Sequence, residues 1–160
     1  NLIHKKDVGG VILDITKENF NLKITQMFEN ISKITTDFAI TVEEEVKGTE
    51  IIIGLKSDIS LGNFIMFGMG GTYVNLIKDV NFSSCPLSKE KCAILVKKSK
   101  VFTLLNGYRG TEAINFEQLY ELMIKLSYLQ EVFPEIKEVD LNPVIASKNG
   151  IYLVDVKFIL

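Results

Sequence analysis

Residues 135–160 are EIKEVDLNPVIASKNGIYLVDVKFIL, and they predict two β-strands joined by a tight turn at Lys148, Asn149 and Gly150. Both flanking segments are rich in Val and Ile, which favour strands, and Asn and Gly favour turns. When two strands pair antiparallel across such a turn, the side chains of both strands project from the same two faces of the sheet. This stretch therefore predicts the closing strands of an antiparallel sheet.

Two side chains with oxygen atoms, Asn142 and Asp155, lie thirteen positions apart on these predicted strands. If the strands pair, both side chains can point from one face into one site, and Asp140 alternates with Asn142 on that face. Hard oxygen ligands on rigid strands suit Mg²⁺ that phosphate groups also hold. A strand that ends at Pro143, with polar side chains satisfying backbone groups, explains the same residues equally well.

The rest of the chain predicts a mixture of strands and helices. Strands are predicted where β-branched and aromatic residues cluster, at 11–15, 38–46, 50–58 and both ends of 63–82, with a turn at Lys47-Gly48 between the second and third. Apolar residues at helical spacing predict a helix over 16–34. Two further helices are predicted after capping residues, one from the Ser88 N-cap to about Leu105 and one from the Asn115 N-cap through residue 133. Neighbouring strands are mostly antiparallel, which predicts an α+β domain with helices on one side of a sheet.

Composition narrows the class of protein. The chain has 160 residues, 47% apolar and 24% charged, as expected for one folded domain. A net charge of −2 gives no broad basic face for nucleic acid. No apolar run approaches the roughly 20 residues of a membrane span. Two cysteines and a single histidine are too few to form a zinc site with four protein ligands. Reduced, structural cysteines are the favoured interpretation, and they indicate a cytoplasmic location.

The N-terminal stretch NLIHKKDVGG contains that single histidine, His4. Two lysines, an aspartate and a glycine pair follow it, and no predicted strand precedes it to anchor this loop. We therefore expect the chain to be part of a longer polypeptide.

The stretch TVEEEVKGTEIII, residues 41–53, places Glu43 and Glu50 on either side of a turn, with Val46 between them. A strand that leaves the sheet at Val46 frees its backbone to hydrogen-bond an adenine edge. Glu43 can accept from the adenine amino group, and Glu50 can accept from ribose hydroxyls. A solvated acidic strand is the alternative, and these residues taken alone favour it.

Two glycine-rich segments are further candidates. MFGMGGTYV, residues 66–74, allows close approach of its backbone to a ligand or a strand. It does not match the phosphate-loop pattern, so a packing role is the more common explanation. Arg109 lies between Gly107 and Gly110, where a bidentate grip on a phosphate is possible. A surface arginine on a turn explains this loop nearly as well.

The order of these blocks is more specific than any one of them. HKKDVGGVIL, VEEEVKGTEIIIGLKSD, FIMFGMGGTYVNLIKDV, LLNGYRG, FPEIKEVDLNP and LVDVKF resemble the ATP-grasp domain of NDP-forming acyl-CoA synthetases. In that family the domain is the beta subunit or beta domain of ADP-forming acetyl-CoA synthetase, a relative of the succinyl-CoA synthetase beta chain. The resemblance implies an ATP-grasp fold that lacks its N-terminal part, with residues 1–160 as the C-terminal portion of the nucleotide-binding domain.

The resemblance also implies a reaction. The family interconverts acyl-CoA, ADP or GDP and phosphate with the free acid, ATP or GTP and CoA. A CoA-ligase (alpha) domain or subunit makes an acyl phosphate and passes the phosphoryl group to its own histidine, from which the ATP-grasp part receives it. Mg²⁺ and a nucleotide are the implied cofactors. The implied assembly is a larger polypeptide or oligomer, and this chain alone is expected to be an incomplete ligase.

Carried over position by position, the resemblance makes His4 the second phosphohistidine and Asn142 and Asp155 the Mg²⁺ ligands. Glu43, Val46 and Glu50 become the nucleotide hinge. Physical chemistry agrees, because a neutral imidazole is nucleophilic and an unperturbed pKa near 6.5 makes that form abundant. The neighbouring lysines and Arg109 can neutralise phosphate charge during transfer.

The sequence departs from the family pattern at three places. Asn75 stands where the family usually has an acid, Ser83 stands where it usually has arginine, and DISLGNF at 58–64 replaces D-P-x-F-G-P. These changes keep open a catalytically degenerate ATP-grasp domain with a structural or regulatory role, for example in a synthetase-like protein acetyltransferase. A carboxylate–amine ligase is disfavoured, because such ligases do not need the HK-x-D-x-GG block.

Overall fold

The structure is a computed structural model that describes residues 8–60, 62–71 and 79–160. The chain forms two compact units, Asn1–Glu45 and Val46–Leu160. Within the described ranges, no helix combines the length and apolar character needed to cross a bilayer.

The first unit contains helix α1, Phe20–Ser32, which confirms the central part of the helix predicted over 16–34. The strands predicted at 11–15 and 38–46 are wrong, because neither segment belongs to a sheet. Asp14 adopts a positive φ of 54°, and its N–H donates to Glu45 Oε2 at 2.7 Å. A β-branched run becomes a strand only when a neighbouring strand accepts its backbone hydrogen bonds, and here side chains accept some of them.

The second unit contains a six-stranded sheet. Its strands are β1 Thr49–Asp58, β2 Gly62–Met69, β3 Val80–Ser84, β4 Glu138–Ser147, β5 Gly150–Leu153 and β6 Val156–Ile159. The strand order is β3-β2-β1-β4-β5, and β6 also pairs with β4. Every strand pair in the described part is antiparallel, as predicted. The strand predicted at 50–58 and the turn after Ser147 are therefore confirmed.

In the described part of the second unit, four helices accompany the sheet: α2 Lys89–Lys98, α3 Phe102–Leu105, α4 Phe116–Ser127 and α5 Leu129–Val132. Both predicted N-caps are confirmed. Ser88 Oγ accepts from the Lys91 N–H at 3.3 Å, and Asn115 Oδ1 accepts from the Gln118 N–H at 3.2 Å. The prediction that one helix runs to Leu105 is wrong, because α2 ends at Lys98.

Asp79 explains why α2 ends early. Its buried carboxylate accepts from Ser99 Oγ at 2.5 Å and from the N–H groups of Lys100 and Val101 at 2.9 Å each. These bonds hold the chain between α2 and α3 in a non-helical path. Burial raises the pKa of Asp79, but the three hydrogen bonds together outweigh it and leave the pKa below its ordinary value.

The helices cover one face of the sheet, as predicted. Alternate β1 residues Ile51, Ile53 and Leu55 are at most 1% exposed. They form one apolar core with the inward side chains of α4, among them Leu119 and Met123. The apolar residues Leu119, Met123 and Leu126, which lie at helical spacing, therefore form the buried face of α4.

A β-bulge interrupts the pairing of β4 with β1. Ile51 opposes Val144 and Ile53 opposes Leu141, so Asn142 and Pro143 together oppose the single residue Ile52. The extra residue allows both Leu141 and Val144 to point into the core while Asn142 lies on the opposite face.

On its other side, β4 keeps a single register with the last two strands. Leu141 opposes Val156 and Val144 opposes Leu153, so the intervening residues Asn142 and Asp155 also oppose each other. The Asn142 N–H donates to the Asp155 carbonyl at 3.2 Å. The closing strand predicted over 150–160 is thus divided into β5 and β6 at residues 154–155.

Candidate functional site

The glycines at the end of β2 and just after it bring three backbone segments close together. A Cβ on Gly68 would lie 1.7 Å from the Asp79 carbonyl oxygen, and a Cβ on Gly70 would lie 2.4 Å from the backbone of Ile51. The Gly70 N–H donates to the Glu50 carbonyl at 3.0 Å. Gly68 and Gly70 therefore have the packing role considered for this segment.

Gly71 has different neighbours, because it contacts two of the predicted site residues. Its N–H donates to Asn142 Oδ1 at 3.1 Å. A Cβ on Gly71 would lie 1.5 Å from Glu50 Oε2, so the Glu50 carboxylate occupies the space that a side chain would need. Glu50 and Asn142 are thus brought to the same residue, and we call this group the Glu50–Gly71–Asn142 cluster. It lies on the sheet face opposite the helices, since Glu50 alternates with the buried Ile51.

Asp155 lies opposite Asn142, between β5 and β6. Residues that oppose each other across an antiparallel pair project from the same face, so the side chains of Asn142 and Asp155 are expected on one face of the sheet. Asp155 is exposed and Asn142 is half-buried. The backbone bond between them holds their Cα atoms close together.

Asp140 lies on the same face, two residues before Asn142. Burial raises its pKa, the negative charges of Glu138 and Asp155 raise it further, and Lys157 opposes them. Its Oδ1 atom is buried and has no hydrogen-bond partner among the described residues. This part of the sheet therefore carries concentrated negative charge that a cation would neutralise.

The donor set fits Mg²⁺ that arrives with a nucleotide. Asn142 Oδ1 has a second lone pair besides the one that Gly71 uses, and Asp155 supplies a carboxylate. Within the described ranges, no group of three or more His, Cys, Asp or Glu residues could hold a metal ion unaided. One or two protein ligands completed by phosphates and water is a common arrangement for Mg²⁺.

The residues of the predicted nucleotide hinge are divided between the two compact units. Glu50 lies on β1 as predicted, and half-buried Val46 begins the second unit. Glu43 belongs to the first unit, is exposed, and accepts from Thr41 Oγ1 at 3.2 Å. The strand expected to carry Glu43 is absent, so the hairpin expected through Lys47-Gly48 is wrong.

Arg109 lies in the loop between α3 and α4 and adopts a φ of 50°. Its guanidinium carbon is 5.3 Å from the centroid of the Tyr108 ring. The loop reaches the sheet where the Asn115 N–H donates to the Ser147 carbonyl at 3.0 Å. Because Ala146 opposes Thr49, this is the end of the sheet where Glu50 lies. No contact joins Arg109 to the Glu50–Gly71–Asn142 cluster within the described part of the chain.

Two of the remaining predictions cannot be placed. His4, with the neighbouring Lys5, Lys6 and Asp7, lies outside the described residues, as does Asn75. Ser83 lies on β3 opposite Ile65, a core residue, and is therefore on the helix-covered side of the sheet.

The cysteines are free thiols, as expected. Burial raises the pKa of both Cys85 and Cys92 to about 11, so neither forms a reactive thiolate near neutral pH.

Sequence reasoning missed the partners of Gly71 and the role of Asp79. The FGMGG segment was the only signal for Gly71, and it did not reveal which strands meet there. Asp79 had no local signal, because its partner segment lies about twenty residues further along the chain.

Over residues 1–160 the sequence matches the family described as the ATP-grasp domain. The chain therefore belongs to this family of nucleotide-binding folds, and the predicted α+β ATP-grasp architecture is confirmed. The beta subunit of ADP-forming acetate–CoA ligase I from Pyrococcus furiosus is 33% identical over 165 residues, which cover 99% of this chain and 71% of that protein.

Longer proteins match as well. The ADP-forming acetate–CoA ligase I of Archaeoglobus fulgidus is 32% identical over 164 residues, which cover 100% of this chain and 24% of that protein. This chain thus spans about a quarter of the length of that relative.

A solved structure of dinucleotide forming acetyl-coenzyme A synthetase 1 from Ca. Korarchaeum cryptofilum matches with a TM-score of 0.79 and 37% identity. The match covers 100% of this chain and 72% of that one. That structure is a complex with coenzyme A and Mg-AMPPCP, and its phosphohistidine segment points towards the nucleotide binding site.

Proposed function

We propose that this chain is the nucleotide-binding, phosphoryl-transfer part of an acyl-CoA synthetase that forms ATP or GTP from acyl-CoA, ADP or GDP, and phosphate. The observation that carries the proposal is the Glu50–Gly71–Asn142 cluster, with Asp155 opposite Asn142. A carboxylate suited to ribose hydroxyls, near oxygen donors suited to Mg²⁺, supports the proposal.

In this proposal the nucleotide lies on the sheet face opposite the helices. The base contacts the backbone of Val46, the adenine amino group donates to Glu43, and the ribose hydroxyls donate to Glu50. Asn142 and Asp155 hold Mg²⁺, which neutralises charge on the nucleotide phosphates. Arg109 supplies a further positive charge to the transferred phosphoryl group.

His4 carries the phosphoryl group in this proposal. When ATP is the donor, an unprotonated ring nitrogen of His4 forms a P–N bond as the P–O bond to ADP breaks. The reverse reaction returns the phosphoryl group to ADP and leaves a neutral imidazole. Lys5 and Lys6 offset the phosphate charge during the transfer.

The proposed partner is a CoA-ligase (alpha) domain or subunit, with which this chain forms a larger polypeptide or oligomer. That partner makes the acyl phosphate and delivers its phosphoryl group through its own histidine. The proposed location is the cytoplasm, where nucleotide and CoA are both present.

The test uses the full-length synthetase, ATP labelled at the γ-phosphate, and Mg²⁺. Acid-labile, base-stable label should appear on the peptide that contains His4 and should vanish in His4→Ala. The partner's own histidine must be substituted in a parallel variant, since it carries label too.

Two outcomes would contradict the proposal. If label appears only on the partner's histidine and His4→Ala keeps full turnover, His4 is not the phosphoryl carrier. If the protein neither binds nucleotide nor becomes labelled, the degenerate, regulatory alternative is favoured.

A further inference from the structure

Gly71 lies between two side chains that have different proposed tasks. Its N–H donates to Asn142 Oδ1 at 3.1 Å, and the position of its missing Cβ lies 1.5 Å from Glu50 Oε2. Adding the covalent span of one residue between these contacts places the two side-chain oxygens within about 7 Å of each other. One residue therefore links the proposed ribose ligand to the proposed metal ligand.

The Gly71 N–H determines which end of the Asn142 carboxamide faces it. A carboxamide ends in one oxygen and one NH₂ group, and only the oxygen can accept from an N–H. The donor therefore holds the oxygen in this region of the site and directs the NH₂ group elsewhere. One oxygen lone pair stays available to a cation, and hydrogen bonds of this kind are known to orient metal ligands.

The missing side chain of Gly71 matters as much as its amide. The Glu50 carboxylate lies where a Cβ would be, so any larger residue must displace it. Gly71 also adopts a φ of 73°, which residues with a Cβ rarely adopt. A substitution here would therefore disturb Glu50 and the backbone that bonds to Asn142 together.

We propose that Gly71 is a positioning residue that couples the two sides of the site. Its amide orients the Asn142 oxygen for the cation, and its bare Cα leaves room for the Glu50 carboxylate at the ribose. This inference rests on the proposed nucleotide function and assigns to it a residue that acts through Glu50 and Asn142.

The chain offers a matched control at Gly62, which precedes Asn63 at the start of β2. Gly62 has a φ of 75°, close to that of Gly71, but nothing lies within 4 Å of its would-be Cβ. Gly62→Ala therefore introduces the same backbone strain without displacing a side chain. The difference between the two alanine variants isolates the contacts with Glu50 and Asn142.

The first experiment measures binding to the full-length protein by calorimetry, using ADP with and without Mg²⁺. Gly71→Ala should weaken Mg-ADP binding by about tenfold or more, the range seen when partners of metal ligands are removed. It should also raise the Mg²⁺ concentration needed for tight binding. Gly62→Ala should change neither quantity more than about twofold, although both variants lose some stability.

The second experiment needs neither nucleotide nor metal. In protein labelled with ¹⁵N-asparagine, Gly71→Ala should shift the side-chain NH₂ resonances of Asn142, which are assigned by their loss in Asn142→Ala. Gly62→Ala should leave them in place. In the double variant Gly71→Ala/Asn142→Ala, the losses in Mg-ADP affinity should be less than additive, because both substitutions remove one interaction.

The outcomes separate this inference from the proposed function. If the wild-type protein binds Mg-ADP and Gly71→Ala matches Gly62→Ala in both experiments, Gly71 is a packing glycine and the inference is wrong. If the wild-type protein binds no nucleotide, the proposed function fails. The NMR experiment still decides whether Gly71 orients Asn142, since unshifted resonances contradict the inference in either case.

Discussion

The two faces of the sheet in Val46–Leu160 use alternate residues of the same strands but have different surroundings. On one face, Ile51, Ile53 and Leu55 are buried against the helices. On the other, the neighbouring residue Glu50 lies against Gly71, whose N–H donates to Asn142. The pleat of a strand thus separates apolar packing from proposed ligand binding by a single residue.

Because of this difference, we expect that stability and ligand affinity can be altered separately. Substitutions on the helix-covered face should lower the free energy of unfolding and leave ligand affinity of the folded protein unchanged. Substitutions on the other face should lower ligand affinity and leave the free energy of unfolding nearly unchanged. The bulge at Asn142 and Pro143 makes this possible on β4, because it turns Asn142 to the other face without removing Leu141 or Val144 from the core.

The largest expected effect is that of Leu119→Ala, on the buried stripe of α4. Leu119 is fully buried in the core, so the substitution should lower the free energy of unfolding by about 2–5 kcal/mol. Chemical denaturation of the full-length protein would measure it. Leu22→Ala is the control, because Leu22 is 64% exposed on α1 and should change the value by less than about 0.5 kcal/mol. Equal effects at the two positions would show that the covered face does not carry the stability.

Asp79→Asn should have the next largest effect, about 2–4 kcal/mol of destabilisation at neutral pH, since backbone donors lose their carboxylate acceptor. The pKa of Asp79 is lowered in the folded protein. Its stabilisation is therefore fully present above the ordinary carboxyl value of 3.8 and is lost as the pH falls through the folded value. Unfolding curves measured from neutral to acidic pH should show this loss in the wild type and a flatter profile in the variant. Ser99→Ala, which removes only one donor, should be milder.

Asp155→Asn tests the other face. The Mg-ADP affinity of the folded protein should fall by about tenfold or more, which is the effect of substitutions near a metal ligand. Its affinity for metal-free ADP should stay the same, and its stability should change little because Asp155 is exposed. Calorimetry at fixed nucleotide and varied Mg²⁺ separates these quantities. A loss of affinity that is the same with and without Mg²⁺ would remove Asp155 from the metal site.

The smallest expected effect is that of Glu138→Gln, which breaks the ion pair between Glu138 and Lys56. The charged groups are 3.4 Å apart, and their side chains are 38% and 58% exposed, so the change in stability should be about 0–1 kcal/mol. The substitution also removes a negative charge that raises the pKa of Asp140, although burial is the larger cause. NMR titration of Asp140 should show its pKa moving down towards 3.8. An unchanged pKa would mean that Glu138 does not act on this face.

Local chemistry made some elements predictable. Ser88 and Asn115 cap helices as predicted, because an N-cap depends only on the next three residues. The turn between β4 and β5 follows from its own Asn and Gly residues. The opposition of Asn142 and Asp155 then follows from counting outward from that turn.

Elements that depend on distant partners were predicted less well. Residues 11–15 and 38–46 have β-branched patterns but pair with no strand among the described residues, so they are not strands. Helix α2 ends at Lys98 because Asp79, from another part of the chain, binds the backbone that follows it. The same limit applies to the site, where Glu50 was a candidate from its spacing but its contact with Gly71 was not foreseeable.

The order of the motifs in the sequence was sufficient to indicate an antiparallel α+β fold of the ATP-grasp family and the residue types of its site, because these depend on local patterns. Tertiary structure alone brought Glu50, Gly71 and Asn142 together, since they come from β1, the end of β2 and a bulge in β4. Hydrogen bonds between strands and the missing Cβ of one glycine create that proximity. Such contacts join residues up to 71 positions apart, so no local pattern encodes them.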